Sequence, residues 1–451
     1  MKTLTQIGAE LEGYDPQSLA VSDVLRFLEQ LVQPVAGTQV LPLFEALGRV
    51  LAEDVMSPVD VPPHDNSAMD GYAFDGTPLA AMAGTEFLHL VCVGTALAGI
   101  AWQGQIESGQ CVKIMTGAIM PAGLDTVIPQ ELATVQGQCI TVPAALLTRG
   151  DNRRHRGEDV ARGEAALLKG QVVTPARLGL AASLGLPTLL CFRRLKVAYF
   201  STGDEILSLG ETSREGAVYD SNRYTIFALL TRLGCEVVDL GVVPDDPTLL
   251  EAAFVQAAAQ ADAIITSGGV SVGEADFTKA MMKKLGDVAF WRIAMRPGRP
   301  MAVGRIMPSR FEAESPSGPG IDCLDSYVND CNANGVMLFG LPGNPVAVMV
   351  TFLAFVRPAL LQMMGAAAVA PVLLKAFSVE AIRKKPGRTE YQRCWVHTAA
   401  DGTLAVRTTG SQGSGVLSSM AEANGLIVLH HKQGNVAAGE AVDVLMFDGV
   451  M

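Results

Sequence analysis

The stretch from Leu195 to Leu285 alternates short apolar runs with helical patterns, and this alternation restricts the possible folds more than any other feature. The continuous apolar run Leu195–Phe200 is typical of a buried strand, and Glu236–Val243 and Ala263–Thr266 predict a second and a third strand. The segments between them repeat apolar residues at i, i+3, i+4 and i+7, as in Ser221–Leu233, which Gly234 then ends. Strands that alternate with helices in this way predict β-α-β units around a parallel sheet.

Other segments predict further domains around this sheet, since a chain of 451 residues is too long for one hydrophobic core. From about Glu86 to Val142, short β-like runs alternate with Gly-rich turns, which favours a small β domain. Thr174-Pro175 predicts the start of a helix between that domain and the sheet. Beyond Pro358 the pattern is all-β, and Asp401-Gly402 between two alternating runs predicts a hairpin.

Composition and charge exclude several classes of protein. The chain carries 34 Lys and Arg against 46 Asp and Glu, a formal net charge of -12, which argues against nucleic acid or a membrane as a partner. Residues Met1–Glu10 lack the apolar segment of an export signal, and the longest apolar run, Val346–Val356, is too short to span a bilayer. The eight cysteines include no C-x-x-C pair, which favours reduced thiols and a cytoplasmic location.

Polar residues follow each predicted strand of the central domain. These sequences are Ser201-Thr202-Gly203-Asp204-Glu205, Asp245-Asp246 and Ser267-Gly268-Gly269-Val270-Ser271, with Glu274 and Asp276 just beyond. Because ligands bind outside the carboxyl ends of parallel strands, we expect hydroxyls, glycines and carboxylates to meet at one edge of the sheet. The glycines allow close backbone approach, and the following helix offers free N–H groups to a phosphate.

The carboxylates at this edge indicate a bound cation. Two unit charges ~4 Å apart at an effective dielectric constant near 20 repel by about 4 kcal/mol, so several carboxylates together either take up protons or bind a cation. Hard oxygen ligands beside a phosphate favour Mg²⁺. The alternative is that these residues are only helix caps and turn formers. The convergence of three separate loops favours the site.

Positive charge is concentrated on one proline-stiffened turn, where Arg292 is followed by Arg296-Pro297-Gly298-Arg299-Pro300. We interpret this turn as an oxyanion site rather than a solubilising loop, because its backbone is restrained and the chain is acidic elsewhere. Asn344-Pro345 predicts a further helix start that faces an anion. No nucleophile–base pair is recognisable, and we interpret the following histidines as surface residues: His64, His155, His430 and His431.

Several segments, in order along the chain, resemble the motifs of the molybdopterin molybdenumtransferase family, the MoeA type, which is similar to the E domain of gephyrin. The Asp65–Ala73 loop is a near-complete match to the signature of that family. The other matching segments are Ile114–Ala118, Arg156–Asp159, Ser201–Glu205, Gly268–Asp276 and Leu341–Pro345. The resemblance covers essentially the whole chain.

The resemblance implies a multidomain α/β plus β fold with a central doubly wound, Rossmann-like domain. The implied domains are an N-terminal linker and dimerisation domain (1–56 with 163–194), an inserted small β domain (57–162), a central molybdopterin-binding domain (195–365) and a C-terminal β-barrel-like domain (366–451). It also implies an elongated homodimer, with the active site between the central domain of one subunit and the small β domain of the other.

The activity that the resemblance implies belongs to molybdenum cofactor biosynthesis. Such transferases insert molybdenum from molybdate into adenylylated molybdopterin and release AMP, in a step that depends on Mg²⁺ or Zn²⁺. The molybdopterin adenylyltransferase is then an expected further partner. This chemistry fits the residues, because cleavage of a phosphoanhydride needs positioning and charge neutralisation rather than a protein nucleophile.

The resemblance also implies site residues. The expected catalytic residues are Asp70, Asp159, Glu205, Asp245 and Asp276. Of these, Glu205, Asp245 and Asp276 are expected to bind the metal. The residues expected to bind substrate or anion are Thr116, Ser201, Thr202, Gly268, Gly269, Ser271, Arg292, Arg296, Arg299, Asn344, Arg393 and Ser414.

Two features depart from the pattern of the family. Arg292, Arg296 and Arg299 stand where the family usually has Lys, and a planar guanidinium replaces a point charge there. The segment 308–335, which carries Cys323 and Cys331, is longer than a tight connection between two strands. We interpret it as a surface insertion, with a flap over the site or the dimer seam as the alternative.

Two other functions stay open from the sequence. A molybdopterin adenylyltransferase has a related α/β domain but lacks the flanking β domains and the Asp65–Ala73 loop. A non-enzymatic scaffold similar to the E domain of gephyrin is disfavoured by the intact carboxylates. We predict that Asp276→Asn leaves folding intact and abolishes molybdenum insertion, because it removes metal-binding charge from an exposed edge.

Overall fold

The computed structural model describes residues 2–35, 37–82, 86–270, 277–307, 335–367, 370–448 and 451. Over these ranges the chain forms three six-stranded sheets, in the inserted, central and C-terminal parts of the sequence. This arrangement agrees with the predicted fold class, a multidomain protein with a central α/β domain and flanking β domains.

The N-terminal part begins with two helices that pack on each other. Its elements are α1 (Leu4–Glu10), α2 (Val21–Leu31), β1 (Thr38–Pro42), α3 (Leu43–Ala46) and β2 (Val55–Met56). Helix α2 is amphipathic and buries Val24, Phe27 and Leu31 on one face. That apolar face directs the helix against the central domain.

The inserted part is a small β domain with apolar clusters of its own. Its strands are β3 (Asn66–Ser67), β4 (Gly71–Phe74), β5 (Phe87–Ala96), β6 (Gln110–Ile114), β7 (Thr126–Pro129), β8 (Thr134–Gln136), β9 (Cys139–Pro143) and β10 (Arg153–Arg154). Six of them form a sheet in the order β7-β4-β6-β5-β9-β8, and β3 pairs with β10.

The chain then returns to the N-terminal part. The returning elements are β11 (Ala165–Leu167), α4 (Pro175–Ser183) and β12 (Thr188–Phe192). β11 pairs with β2 and β12 pairs with β1, both antiparallel, so the segments on either side of the small β domain lie together. Helix α4 begins as predicted, with the Thr174 hydroxyl accepting a hydrogen bond from the Arg177 N–H at 3.4 Å.

The central domain is built on a sheet in the order β16-β13-β17-β21-β20-β18. Its strands are β13 (Lys196–Thr202), β14 (Ile206–Leu207), β15 (Val218–Tyr219), β16 (Glu236–Val243), β17 (Ala263–Ser267), β18 (Gly286–Arg292), β19 (Met295–Arg296), β20 (Pro300–Ile306) and β21 (Val336–Leu341). β16, β13 and β17 are parallel, as predicted, and β21 is a fourth parallel strand beside β17. β20 and β18 complete the sheet as antiparallel strands, since the short connection between them only reverses the chain.

The helices of the central domain are α5 (Ser221–Leu233), α6 (Pro247–Gln260), α7 (Phe277–Leu285), α8 (Pro345–Thr351) and α9 (Arg357–Met363). Helices α5 and α6 connect the parallel strands β13, β16 and β17, whereas α7 precedes β18 and α8 and α9 follow β21. Helix α5 ends at Gly234 with a left-handed φ of 88°, as its sequence predicts. Helices α8 and α9 form one continuous helix through a π-helical turn over Phe352–Val356.

This continuous helix, Pro345–Met363, is the one helix among the described residues with the length and apolar composition to cross a membrane. However, 67% of its most apolar window is buried inside the protein. It is therefore a core helix of the protein.

The C-terminal domain is a small closed barrel. Its elements are β22 (Leu374–Ser378), β23 (Thr389–Thr398), β24 (Leu404–Thr408), α10 (Ser418–Ala421), β25 (Gly425–Leu429) and β26 (Ala441–Met446). The order β23-β24-β22-β26-β25 closes because β25 pairs back with β23. β19 of the central domain adds to the barrel beside β23. The predicted hairpin at Asp401-Gly402 joins β23 to β24.

The largest apolar cluster contains side chains of the N-terminal helices, the central sheet, the continuous helix and the barrel. Trp291 lies where the N-terminal helices meet the central sheet and is 1% exposed. Its ring meets Phe27 edge-on with 4.9 Å between centroids, and its Nε1 donates to the Tyr14 hydroxyl at 3.0 Å. These parts of the molecule therefore share one hydrophobic core.

Candidate active site

A cavity of about 1050 Å³ lies at the carboxyl ends of β13, β17 and β21, where the parallel sheet predicts a ligand site. The turn 296–300 and the barrel segment 412–417 form its other walls. The predicted residues that line it are Ser201, Thr202, Glu205, Gly268, Gly269, Arg296, Arg299, Asn344 and Ser414. Most of the substrate-binding residues expected in the central domain are thus brought together.

Glycine is required in the floor of the cavity. Gly268 has a φ of +95°, and a Cβ there would overlap the backbone oxygen of Thr202. Gly269 has a φ of +61°, and a Cβ there would overlap the side chain of Thr278. The Gly268 N–H donates to the Leu341 oxygen at 3.2 Å, so this amide is already used within the protein. These glycines therefore let neighbouring segments pack closely, rather than serving only to expose amides to a phosphate.

Hydrogen bonds join the loop after β13, which carries Asp204 and Glu205, to the loop after β16, which carries Asp245. The Thr202 hydroxyl donates to Asp245 Oδ1 at 2.5 Å, and the Asp245 N–H donates to Asp204 Oδ1 at 3.1 Å. Glu205 is exposed and lines the cavity, whereas Asp245 is half-buried beside it and is not a lining residue. The ends of β13 and β16 are therefore tied together, as predicted.

The predicted metal site is only partly covered by the described residues. Asp276 and Ser271 lie outside them, so the expected third carboxylate has no described position. Within the described ranges, no group of three His, Cys, Asp or Glu side chains is placed to bind a metal. The carboxylates of Glu205 and Asp245 and the Thr202 hydroxyl are hard oxygen ligands, the type that Mg²⁺ prefers. A complete magnesium site here requires at least one further ligand.

Two of the three predicted arginines reach the cavity. Arg296 and Arg299 are exposed side chains of its wall, and neither has an acidic partner within the described parts of the chain. Gly298 between them has a φ of +88° and packs on Thr351 of α8. Arg292 instead ends β18 away from the cavity, and its N–H donates to the Pro16 oxygen at 2.8 Å. Direct contact between Arg292 and a ligand in this cavity is therefore not supported.

Arg393 is fully buried and does not face the cavity, contrary to the expectation of direct oxyanion binding. Its Nη2 donates to the backbone oxygens of Ser411 and Gly413, both at 2.9 Å, and its Nε donates to Ser419 Oγ at 2.9 Å. Burial, and then the charge of Arg296, lower the pKa of Arg393 to about 10, so it stays protonated at neutral pH. It therefore acts by holding the segment that carries Ser414.

Ser414 and Asn344 form one side of the cavity. The Ser414 oxygen accepts a hydrogen bond from the Val346 N–H at 3.1 Å, which joins the barrel segment to the first turn of α8. Asn344 occupies the N-cap position and Pro345 the first helical position, as predicted. The Asn344 side chain makes no capping hydrogen bond and is exposed at the cavity. It is therefore available to a ligand.

Asp220 and Asn222 also line the cavity, although neither was predicted as a site residue. Asp220 caps α5 by accepting from the Arg223 N–H at 3.0 Å, and the Asn222 amide donates to the Gly343 oxygen at 2.7 Å. They position the start of α5 against the Gly343 turn. The one sequence signal for this wall of the cavity was the position of Asp220 directly before the predicted helix Ser221–Leu233, where an Asp is a typical N-cap.

The site residues of the small β domain lie apart from this cavity within the chain, since none of the residues that the structure describes in 57–162 lines it. Asp70 Oδ1 accepts from the Thr116 N–H at 2.6 Å and from the Thr116 hydroxyl at 2.7 Å. The backbone and then the side-chain hydrogen bond of Thr116 lower the pKa of Asp70, so its exposed carboxylate is ionised at neutral pH. Asp159 is also exposed. The structure therefore joins Asp70 to Thr116 but not to Glu205.

The fold and the cavity define a class of protein. It is an α/β protein with a large cavity at its strand ends, lined by hydroxyls, glycines, two arginines and an exposed carboxylate, which is the usual position of a ligand site in such a sheet.

Comparisons with known proteins identify the family within this class. Three family profiles match: the MoeA N-terminal region (domain I and II) over residues 19–185, a probable molybdopterin binding domain over 198–362, and the MoeA C-terminal region (domain IV) over 375–447. The chain belongs to the MoeA family.

Similar proteins extend over nearly the whole chain. The molybdopterin molybdenumtransferase of Haemophilus influenzae is 40% identical over 427 residues, which cover 94% of this chain and 98% of the relative. The protein of that name from a Nostoc species is 32% identical and covers 96% of this chain and 95% of the relative. Among solved structures, the molybdopterin biosynthesis moeA protein of Pyrococcus horikoshii OT3 has a TM-score of 0.74 at 26% identity, covering 95% of this chain and 100% of that one.

Proposed function

We propose that the chain is a molybdopterin molybdenumtransferase, an enzyme of molybdenum cofactor biosynthesis. In this proposal it inserts molybdenum from molybdate into adenylylated molybdopterin and releases AMP. Full-length similarity to curated proteins of that name supports the proposal. The match of a probable molybdopterin binding domain to residues 198–362, which supply most of the cavity, supports it further.

The composition of the cavity is the observation that carries the proposal. A floor of hydroxyls, the exposed side chains of Arg296 and Arg299 and the carboxylate of Glu205 meet in one space of about 1050 Å³. That volume is at the upper end for small-molecule sites and suits a ligand that joins a nucleotide to a pterin. A pyrophosphate needs nearby positive charge, and Arg296 and Arg299 supply it in a chain that is acidic elsewhere.

The residues can promote phosphoanhydride cleavage without a covalent intermediate. Arg296 and Arg299 would neutralise the charge that develops on the phosphate of the leaving AMP. Ser414, whose backbone oxygen accepts from the Val346 N–H, and Asn344, the N-cap of α8, would orient the substrate. Positioning and charge neutralisation are the main contributions that this reaction requires of the protein.

A divalent cation, Mg²⁺ or Zn²⁺, belongs to the proposal as well. Glu205 and Asp245 would bind it together with Asp276, and bound there it would neutralise phosphate charge. The Thr202 hydroxyl fixes Asp245 Oδ1, and Glu205 is exposed, so its carboxylate is open to a cation.

We also propose a homodimer in which Asp70, Thr116 and Asp159 of one subunit complete the cavity of the other. The absence of any residue of 57–162 from the cavity of its own chain, within the described ranges, supports this arrangement. A cytoplasmic location is supported by the six described cysteines, all of which are free thiols. Substrate transfer from a molybdopterin adenylyltransferase is part of the same proposal.

Two alternative functions receive less support. A molybdopterin adenylyltransferase would not require the N-terminal and C-terminal regions that two of the three family profiles match here. A non-enzymatic scaffold would not require available arginines and an exposed carboxylate in one large cavity. Release of AMP from adenylylated molybdopterin distinguishes the proposed function from both.

The test is an assay of molybdenum insertion and AMP release with adenylylated molybdopterin, molybdate and Mg²⁺. We expect Asp276→Asn and Asp245→Asn to lower the rate by roughly 100-fold or more while the protein stays folded. Asp246→Asn is the matched control, because Asp246 only caps α6 and Asn caps equally well. A wild-type protein that releases no AMP would refute the proposal, and near-normal insertion by Asp276→Asn would refute the metal assignment.

A further inference from the structure

Three hydroxyl groups form a closed hydrogen-bonded ring in the floor of the cavity. The Tyr199 hydroxyl lies 2.8 Å from Ser201 Oγ and 2.7 Å from Ser267 Oγ, and the two serine oxygens are 3.2 Å apart. All three residues are at most 3% exposed. Ser201 and Ser267 line the cavity, and Tyr199 lies behind them.

The strand geometry produces this ring. Tyr199 and Ser201 are two residues apart on β13, so their side chains point to the same face of the sheet. Ser267 is the register partner of Ser201 on the neighbouring parallel strand β17, which brings the two serines side by side. The three hydroxyls therefore meet for two reasons. Tyr199 precedes Ser201 by two positions on one strand, and Ser267 pairs with Ser201 on the next strand.

The number of protons in the ring is limited. Each hydroxyl carries one proton and can accept at two lone pairs. Burial raises the pKa of the Tyr199 hydroxyl far above its ordinary value, so it stays protonated. If Tyr199 donates to one serine and accepts from the other, the accepting bond uses the proton of that second serine. The first serine keeps its own proton, which either closes the ring across the longest contact, 3.2 Å to the second serine, or turns to a ligand in the cavity.

We propose that Tyr199 is a positioning residue that leaves a single hydroxyl proton, from either Ser201 or Ser267, for the phosphate of the bound substrate. Either serine can supply this proton, because the ring can run in both directions. The other serine presents only lone pairs to the cavity. The inference rests on the proposed function only in that the ligand carries a phosphate.

The consequence is a redundancy between the two serines. When Ser201 is replaced by Ala, Tyr199 donates to Ser267, and the Ser267 proton remains free for the phosphate. The same holds for Ser201 when Ser267 is replaced. Without the tyrosine hydroxyl, no serine proton is spent on it, and both serines can donate to the ligand.

A double-mutant cycle tests this inference, with AMP in the presence of Mg²⁺ as the probe and calorimetry as the measurement. With Tyr199 present, Ser201→Ala and Ser267→Ala are each expected to weaken AMP binding by less than about twofold. The double variant is expected to weaken it by roughly tenfold or more, the effect of losing a hydrogen bond to a charged group. The losses are then strongly non-additive.

The cycle is repeated in the Tyr199→Phe background, where the losses of the two serine variants are expected to become additive. Tyr199→Phe itself is expected to bind AMP about threefold more tightly, because it frees a second donor, whereas a merely structural role would weaken binding. Tyr391→Phe is the matched control, since Tyr391 is a buried tyrosine that does not line the cavity. It is expected to leave the serine cycle non-additive.

Additive serine losses with Tyr199 present, or weaker AMP binding by Tyr199→Phe, would overturn the inference. Thermal unfolding of each variant shows whether a loss of binding reflects a loss of folding. If the wild-type protein does not bind AMP, the proposed function fails, and this outcome differs from the failure of the serine cycle.

Discussion

Arg393 is buried in the barrel and donates to three successive backbone oxygens, those of Ser411, Gln412 and Gly413. A lysine has one ammonium group and cannot satisfy acceptors spread around a planar guanidinium in this way. The protein tolerates the buried charge of Arg393 because the guanidinium donates hydrogen bonds to these oxygens and to Ser419 Oγ. The segment that it holds lines the cavity next to Ser414.

We predict that Arg393→Met lowers the free energy of unfolding by about 2–4 kcal/mol, because it leaves buried carbonyl oxygens without donors. Binding of molybdate is expected to weaken at the same time, because the 411–414 segment loses its support. Urea unfolding measures the first effect and calorimetry the second.

Arg407→Met is the control for this variant, since Arg407 is an exposed residue of β24. It is expected to change the free energy of unfolding by less than about 0.5 kcal/mol. If Arg393→Met abolished molybdate binding without any loss of stability, Arg393 would be a direct ligand and the positioning role would be wrong.

The start of α5 forms part of the cavity wall beside the strand ends. Asp220 accepts from the Arg223 N–H, and Asn222 links the first turn to the Gly343 oxygen. Ser221, Asp220 and Asn222 all line the cavity. The helix therefore forms one wall through its first turn.

We predict that Asp220→Ala lowers the free energy of unfolding by about 1 kcal/mol, the usual effect of losing an N-cap. Asp220→Asn is the matched variant and is expected to cost only a few tenths of that amount, because an amide oxygen also accepts from Arg223. Urea unfolding monitored by circular dichroism gives both values. If Asn were as costly as Ala, the charge of Asp220 rather than the capping hydrogen bond would stabilise the helix.

Local elements were predictable where a short-range signal is strong. The bounds Glu236–Val243 of β16, the Gly234 end of α5 and the turn at Asp401-Gly402 all agree with the sequence. Strand β18 was not predicted, because the burial of Gly286–Arg292 does not alternate from residue to residue as in a typical antiparallel strand. The ring of Tyr199 with two serines was also missed, since it depends on the register between β13 and β17.

At the scale of the whole molecule, the central domain and the barrel both contribute residues to the wall of the cavity. The carboxyl-end rule placed Ser201, Glu205 and Gly268 at one site from sequence alone. It could not place Arg292, whose exposed side chain lies at the end of β18, or Arg393, whose guanidinium donates to backbone oxygens inside the barrel. Asp276 lies outside the described residues, so the three-carboxylate site stays a prediction.

The proposed homodimer gives a test at this scale. Asp70→Asn and Asp245→Asn subunits are expected to be inactive as separate homodimers. A purified heterodimer of the two is expected to recover about half of the wild-type activity, because one of its two shared sites carries neither substitution. Molybdenum insertion by the doubly tagged heterodimer is the measurement.

A control heterodimer carries both substitutions on the same subunit. In the shared arrangement both of its sites contain one defect, so it is expected to be inactive. If this control were active and the first heterodimer inactive, each site would be formed within a single subunit.

The chain has three tryptophans, and their positions follow the domains. Trp291 is enclosed where Phe27 and Tyr14 meet the central sheet, Trp102 belongs to the small β domain, and Trp395 is 43% exposed on the barrel. An indole in an apolar enclosure emits at shorter wavelength than one in water. The intrinsic fluorescence of the protein therefore contains separate optical signals, and a red shift from Trp291 would report the separation of the N-terminal helices from the sheet.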